Sequence, residues 1–174
     1  GDPSRVTIFG ESAGAISVSM LCASPFAKSL FSGAISESGG SFFPVGDSSN
    51  FFDCIQTLAG AEKRGVDFMK RMGCNNLAEL RKVSPEKWLN DPASQMGYLW
   101  PVVDGYVIIG DQFKLYQEGK YNDINVIIGT NSDEGSMFIT QPDKPEDYID
   151  NVKLRFGPVS EKILKLYPID SATG

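Results

Sequence analysis

The stretch that most limits how this chain can fold is Val6–Val18, which reads VTIFGESAGAISV. Four β-favouring residues precede a glycine, and small residues at helical spacing follow a second glycine. Ser12 stands between them in the pattern G-x-S-x-G. This pattern predicts a strand that turns sharply into a helix. At Gly10 and Gly14 we expect glycine to remove the Cβ atoms that would collide where the two elements pass closely.

Such a turn predicts a nucleophilic serine. Strained backbone angles at Ser12 would lift its Oγ above the edge of the sheet, at the start of a helix. Free backbone N–H groups there can stabilise a developing oxyanion, and the N–H of Ala13 is the predicted donor. A glycine-rich turn without any chemistry is the alternative interpretation of the same five residues. The chain contains no histidine, so it lacks the base that usually activates such a serine.

Short β-favouring runs alternate with helical patterns along the chain. The runs Val6–Phe9 and Asn125–Gly129 lack polar alternation, which is typical of parallel strands buried on both faces. Gly33–Ser36 is a further predicted strand. Helices are predicted at 12–21, near 61–72, after Asn76, after Ser84, and at 111–118, 145–156 and 160–166, with Gly73 and Gly119 as terminal glycines. The alternation predicts an α/β fold with a parallel sheet flanked by helices.

Charge and composition exclude several kinds of partner. The 174 residues are 41% hydrophobic and carry a net charge of −6. An acidic chain argues against nucleic acid or an anionic membrane as the main partner, because both attract basic surfaces. No apolar run reaches the roughly 18 residues that a membrane span needs.

The three cysteines give no sign of a metal site. Cys22, Cys54 and Cys74 form no C-x-x-C pattern, and no histidine is available to share a metal ion. We therefore predict no metal site at these cysteines. The expected role of the cysteines is that of small buried apolar residues, and a Cys54–Cys74 disulfide stays open.

A second polar group follows the third predicted strand, where residues 129–135 read GTNSDEG. Functional side chains gather at the carboxyl ends of strands in an open parallel sheet. A nucleophilic serine needs a base, and that base needs a buried carboxylate to orient it. Glu134 follows Ser12 in the chain order expected for such a triad. The alternative is that Asp133 and Glu134 only form a solvated loop.

Five segments together carry a family resemblance: GDPSRVTIFGESAG, AISESGG, WPVVDG, VIIGTNSDEGSMF and KILKLYP. The chain resembles the type-B carboxylesterase/cholinesterase family of α/β-hydrolases. The resemblance implies that Ser12 is the nucleophile and that Glu134 is the triad acid. It also implies that Glu11 lies beside the substrate pocket, that Ser38 supports the triad from behind, and that Asp104 has a structural role at a turn.

In that family the triad histidine lies in a later segment, and a glycine-rich oxyanion loop lies in an earlier one. We therefore expect residues 1–174 to form a single partial domain, the central to C-terminal part of a longer catalytic domain. The expected function is that of a serine carboxylic-ester hydrolase acting on a small-molecule ester through an acyl-enzyme, with the 174 residues inactive alone. The resemblance implies no cofactor and no metal. The alternative is a non-catalytic cholinesterase-like binding or adhesion module. The resemblance also implies that Val6–Phe9, Gly33–Ser36 and Asn125–Gly129 are parallel neighbours in that order, as in the family's sheet. The two outer strands would then have unpaired edges in this chain, so we also expect self-association through them.

Overall fold

The computed structural model describes residues 1–40, 42–46, 55–91, 100–137 and 144–169. The chain forms two compact units, Gly1–Asn131 and Ser132–Gly174, and each is described by itself. The single domain predicted over residues 1–174 stays a prediction. Among the described helices, none has the length and apolar character that a bilayer crossing requires.

The described strands form two parallel sheets within the first unit. The strands are β1 (Thr7–Glu11), β2 (Gly33–Glu37), β3 (Val45–Gly46), β4 (Ile55–Thr57), β5 (Val102–Val103) and β6 (Asn125–Gly129). The larger sheet has the order β1-β2-β6, and the smaller has the order β3-β4-β5. The order predicted for the three main strands is therefore confirmed.

The register of the larger sheet brings the carboxyl ends of its three strands to one edge. Glu11 pairs with Glu37, and Glu37 pairs with Gly129. β1 continues further than predicted, because Gly10 and Glu11 still pair with β2. Consequently the change from strand to helix is confined to a single residue, Ser12.

The prediction that the apolar strands are buried on both faces is wrong for β1 and β6 in the described chain. Phe9 is 74% exposed, and all five residues of β6 are exposed, including Ile127 and Ile128 at 66%. Both strands lie at edges of the described sheet. Apolar composition therefore predicted the strands correctly, but it did not predict that they would be exposed in the described chain.

The helices agree closely with the sequence patterns. They are α1 (Ala13–Cys22), α2 (Leu58–Arg71), α3 (Leu77–Leu80), α4 (Pro85–Leu89), α5 (Gln112–Gln117), α6 (Pro145–Phe156) and α7 (Ser160–Leu166). Short 3₁₀ helices cover Pro3–Arg5, Pro25–Ala27, Glu134–Met137 and Gly157–Val159. α6 and α7 have the predicted bounds and belong to the second unit.

Local capping explains where several helices begin and end. The Asn76 side chain accepts from the N–H of Glu79 (3.0 Å), and its amide donates to the Glu79 carboxylate (2.8 Å). Ser84 caps α4 in the same way, by accepting a backbone N–H. Gly73 and Gly119 follow α2 and α5 with φ of 73° and 69°, a conformation that glycine adopts at little cost. These predicted helix ends are confirmed.

The smaller sheet was missed by the sequence analysis. Its strands have only two or three residues, too few to show a period. β3 (Val45–Gly46) lies in the segment SFFPVGDSSN (41–50), whose proline, glycine and serines are typical of turns. Residues 41 and 47–50 lie outside the described part of the chain.

Asp104 holds a turn after β5, as predicted. Its Oδ1 accepts the backbone N–H groups of Tyr106, Val107 and Ile108, each at 2.9 Å. Gly105 in the same turn has φ of 73°. These hydrogen bonds, chiefly those from Tyr106 and Ile108, hold the pKa of the Asp104 carboxyl below its usual value.

The core of the first unit lies between α1 and the larger sheet. Its buried members are Val18, Cys22, Ala27, Phe31 and Ala34, with Tyr116 of α5 packed against them. The Tyr116 hydroxyl donates to the carbonyl oxygen of Ser19 (2.7 Å). Burial raises the pKa of Tyr116 to about 12, and it also raises the pKa of the Cys22 thiol. Cys22 thus has the buried apolar role that was predicted.

A second core cluster joins α2, α3 and α4. It consists of Phe68, Met72 and Leu80, with Trp88 packed edge-on against Phe68 at 4.9 Å between ring centroids. Cys74 lies at its border as a free, half-buried thiol, so the open Cys54–Cys74 disulfide is not formed in this structure. Cys54 itself lies outside the described residues.

β1 and α1 pass each other at backbone contact distance. A Cβ atom on Gly10 would lie 2.4 Å from the carbonyl carbon of Gly14 and 2.6 Å from its oxygen. A Cβ on Gly14 would have no described atom within 4 Å beyond its own helix backbone. The predicted steric need for glycine is therefore confirmed at Gly10 and wrong at Gly14, because only the Gly10 Cβ would point into the gap.

This asymmetry predicts opposite effects for two alanine substitutions. Gly10→Ala should lower the free energy of unfolding by about 1–3 kcal/mol, because the new methyl group overpacks against fixed backbone. Gly14→Ala is the matched control and should be neutral or stabilising by up to about 1 kcal/mol, since alanine favours helix. Urea unfolding followed by circular dichroism measures both. Equal stability of the two variants would contradict the packing described for Gly10.

The exposed outer strands predict self-association of this chain. Light scattering coupled to size-exclusion chromatography should show a dimer or larger species at high micromolar concentration. Ile127→Lys places a charge on the β6 edge and should shift the population toward monomer. Leu154→Lys, on the exposed surface of α6, is the control and should leave the population unchanged. A clean monomer for the unmodified chain would refute edge pairing.

Candidate active site

Ser12 has the strained backbone that the sequence predicts. It lies between β1 and α1 with φ of 51° and ψ of −115°. A positive φ is uncommon for a residue other than glycine, and such strain costs on the order of 1–3 kcal/mol. Ser12 is exposed, and within the described residues its side chain makes no capping hydrogen bond to α1. The hydroxyl therefore stands at a helix N-terminus without serving as its cap.

Two backbone hydrogen bonds hold Ser12 in this conformation. Its N–H donates to the carbonyl oxygen of Glu37 on the neighbouring strand (2.9 Å). Its own carbonyl oxygen accepts the N–H of Ile16 in the first turn of α1 (3.0 Å). Ser12 is thus fixed to the sheet on one side and to the helix on the other. Ala13 begins α1, and its N–H is one of the first four, which have no acceptor within the helix.

Ser38 repeats this strain at the end of the adjacent strand. It follows β2 directly, has φ of 56°, and donates its N–H to the carbonyl oxygen of Gly129 (2.8 Å). Among described residues other than glycine, only Ser12, Ser29 and Ser38 have positive φ. Two of these three lie at one sheet edge, which is the pattern that functional sites show. The structure brings Ser38 to the edge that carries Ser12.

Gly39 is a site residue that the sequence analysis did not identify. A Cβ at this position would lie 2.5 Å from the carbonyl oxygen of Ser12 and 2.7 Å from the Cβ of Ala15. The backbone of Gly39 therefore packs directly against the strained turn. The only signal in the sequence was the pair Gly39-Gly40 after a strand, which predicted the end of β2 and nothing more.

Two carboxylates flank Ser12 on the sheet. Glu11 precedes it as the last residue of β1, and Glu37 is the register partner of Glu11 on β2. Both are exposed, and side chains of paired residues on neighbouring parallel strands point the same way, about 4.8 Å apart. This edge therefore has a negative local charge. The structure places Glu11 next to Ser12, while its predicted place beside a substrate pocket stays a prediction.

Glu134 lies in the second unit, where it begins the 3₁₀ helix Glu134–Met137. Glu134 is half-buried, whereas Asp133 is exposed. The turn that contains Glu134 is closed by Ser136, whose N–H and hydroxyl both donate to the Asp133 carbonyl oxygen (3.1 and 2.8 Å). The segment is thus an ordered turn. The pairing of Glu134 with Ser12, and their position at one sheet edge, stay predictions.

Comparison with known proteins identifies the family. The model of the carboxylesterase family matches residues 1–161. The para-nitrobenzyl esterase of Bacillus subtilis (strain 168) is 34% identical over 185 residues, which cover 97% of this chain and 35% of that protein. Human Neuroligin-2 is 34% identical over 151 residues, covering 84% of this chain and 18% of that protein.

A solved structure shows the same architecture. The Geobacillus stearothermophilus carboxylesterase EST55 at pH 6.2 superposes with a TM-score of 0.72 and 27% sequence identity, covering 100% of this chain and 36% of that one. The chain thus spans well under half the length of these relatives. The strand-to-helix turn at Ser12 and the order of the parallel strands are consistent with the family match. This chain belongs to the carboxylesterase family and has the α/β-hydrolase fold.

Proposed function

We propose that this chain is the nucleophile-bearing part of a serine carboxylic-ester hydrolase that works through an acyl-enzyme. The observation that supports this most strongly is the conformation of Ser12, which combines a positive φ with an exposed side chain that does not cap its helix. Strain of this kind persists at functional sites. The similarity to proteins named as esterases supports the reaction class.

The proposed reaction has two halves. The Oγ of Ser12 attacks the ester carbonyl carbon while a base takes the hydroxyl proton, and the Ala13 N–H stabilises the resulting oxyanion. The intermediate collapses, the bond to the alcohol breaks, and the base returns the proton to the leaving alcohol. Water then attacks the acyl-serine by the same route and releases the carboxylic acid. The substrate is a small-molecule ester, and the proposal involves no metal or cofactor.

The base in this proposal is a histidine from outside these 174 residues, because the chain contains none. Glu134 would hold that imidazole in the right tautomer and stabilise its charged form. Glu11 would border the substrate pocket, next to the nucleophile. Ser38 would support the triad from the end of β2, where its strained backbone already contacts β6.

The alternative proposal is a non-catalytic cholinesterase-like binding or adhesion module. It is supported by the similarity to Neuroligin-2, whose name states no hydrolase activity. A binding module needs neither a nucleophilic serine nor a triad carboxylate, so the presence of both Ser12 and Glu134 favours the enzyme.

Hydrolysis of a short-chain aryl ester by a whole protein that carries residues 1–174 separates these two proposals. Ser12→Ala should lower kcat by roughly a millionfold, and Glu134→Gln by about ten-thousandfold. Ser32→Ala is the control, because Ser32 lies at the opposite end of β2 and its hydroxyl donates to the Val6 carbonyl oxygen (3.1 Å), away from Ser12. Unchanged turnover in Ser12→Ala would contradict the proposed nucleophile. Absence of hydrolysis by the unmodified protein would favour the binding module.

The 174 residues alone should show no ester turnover above background and no labelling by an organophosphorus probe. A serine hydroxyl is a poor nucleophile without an adjacent base. Loss of even one oxyanion donor costs about 2.7–4 kcal/mol, and here the Ala13 N–H is the only donor that we assign. Intact-mass spectrometry after incubation with the probe measures labelling. Stoichiometric modification of Ser12 that disappears in Ser12→Ala would prove this expectation wrong.

A further inference from the structure

The buried side of the strained turn contains a hydroxyl that the proposed reaction does not use, that of Ser36. Ser36 lies in β2, is 3% exposed, and faces the same side of the sheet as the core residue Ala34. Its register partner on β1 is Gly10, where an added Cβ atom would collide with the backbone of Gly14 in α1. Ser36 therefore sits beneath the point where strand and helix meet.

The Ser36 hydroxyl lies within hydrogen-bond distance of two different segments. Its Oγ is 3.2 Å from the carbonyl oxygen of Ala15, in the first turn of α1, and 3.0 Å from the carbonyl oxygen of Gly39. A hydroxyl carries one proton, so these two carbonyl groups share or exchange a single donor. Both acceptors are themselves close to the nucleophile, because the Gly39 backbone packs on the Ser12 carbonyl oxygen and on Ala15.

We propose that Ser36 is a positioning residue that fixes Ser12 and the Ala13 N–H relative to the end of β2. This inference rests on the proposed function for its kinetic consequence. A strained residue keeps its conformation only when its surroundings over-determine it. The bonds that hold Ser12 directly come from the main chain, and Ser36 adds a side-chain donor between the two segments that enclose the turn. Its loss leaves the half-buried carbonyl group of Gly39 without this partner and loosens the turn.

Burial of a serine is not enough to give it this role, and the chain offers a matched comparison. Ser24 follows α1, is 1% exposed, and within the described residues its Oγ has no hydrogen-bond partner. Replacement of Ser24 by alanine removes a buried hydroxyl without removing a hydrogen bond. Ser36 differs because its hydroxyl joins β2 to α1 and to Gly39.

The kinetic test uses a whole protein that carries residues 1–174 and an aryl ester substrate. Ser36→Ala should lower kcat by roughly ten- to a hundredfold, as expected when a reacting group is misplaced by about 1 Å, with little change in KM. Ser36→Thr keeps a hydroxyl and should recover most of kcat, while Ser24→Ala should match the unmodified protein. Unchanged kcat in Ser36→Ala, or an equal loss in Ser24→Ala, would overturn the inference.

Hydrogen exchange on the 174-residue chain tests the same inference without any activity. The amides of Ser12 and Ile16, which bond to Glu37 and Ser12 respectively, should exchange faster in Ser36→Ala than in Ser24→Ala. The amide of Met72, bonded to Phe68 in the second core cluster, should exchange equally in both variants. If the whole protein hydrolyses no ester, the proposed function fails, and exchange alone decides the positioning role. Unchanged exchange at Ser12 and Ile16 would then reject it.

Discussion

The structure depends on one close contact, the passage of β1 against the first turn of α1. There is no room for a Cβ atom at Gly10, whose backbone lies against that of Gly14. β1 stays paired with β2 up to Glu11, and α1 begins at Ala13. A single residue, Ser12, therefore makes the turn, and it adopts a positive φ to do so. The close packing of β1 against α1 therefore determines the backbone conformation that exposes the Ser12 hydroxyl at the sheet edge.

Much of the fold could be predicted because its signals are local. Residues within a few positions of one another determine the strand-to-helix turn at Ser12. The same is true of the helix caps and of the bounds of α6 and α7. The strand order came from the family resemblance, because the pattern alone does not say that β6 pairs with β2 when three other strands lie between them in the chain. The exposure of β1 and β6 did not follow from their composition, because apolar residues indicate that a strand is buried without showing which segment covers it. The strands of the smaller sheet are too short to show a period.

The candidate site also contains some residues that the sequence predicts and others that only the folded structure reveals. Ser12 was identifiable because its strain is encoded in five consecutive residues. Gly39 and Ser36 were not, because their importance arises from contacts between β2 and α1 that only the folded chain brings together. Ser38 was identified from the family resemblance alone, and its strained φ gives that prediction a physical basis. Glu134 was found by chain order, and its partnership with Ser12 stays a prediction.

The most direct test of the account is to trap the covalent intermediate on a whole protein that carries residues 1–174. The protein would be quenched in acid during turnover of a slowly deacylating ester, digested, and mapped by mass spectrometry. We predict a mass increase equal to the acyl group, confined to the peptide that contains Ser12 and absent from Ser12→Ala. Steady ester hydrolysis with the acyl group on another residue, or with no adduct at any time point, would contradict the assignment of Ser12 as the nucleophile.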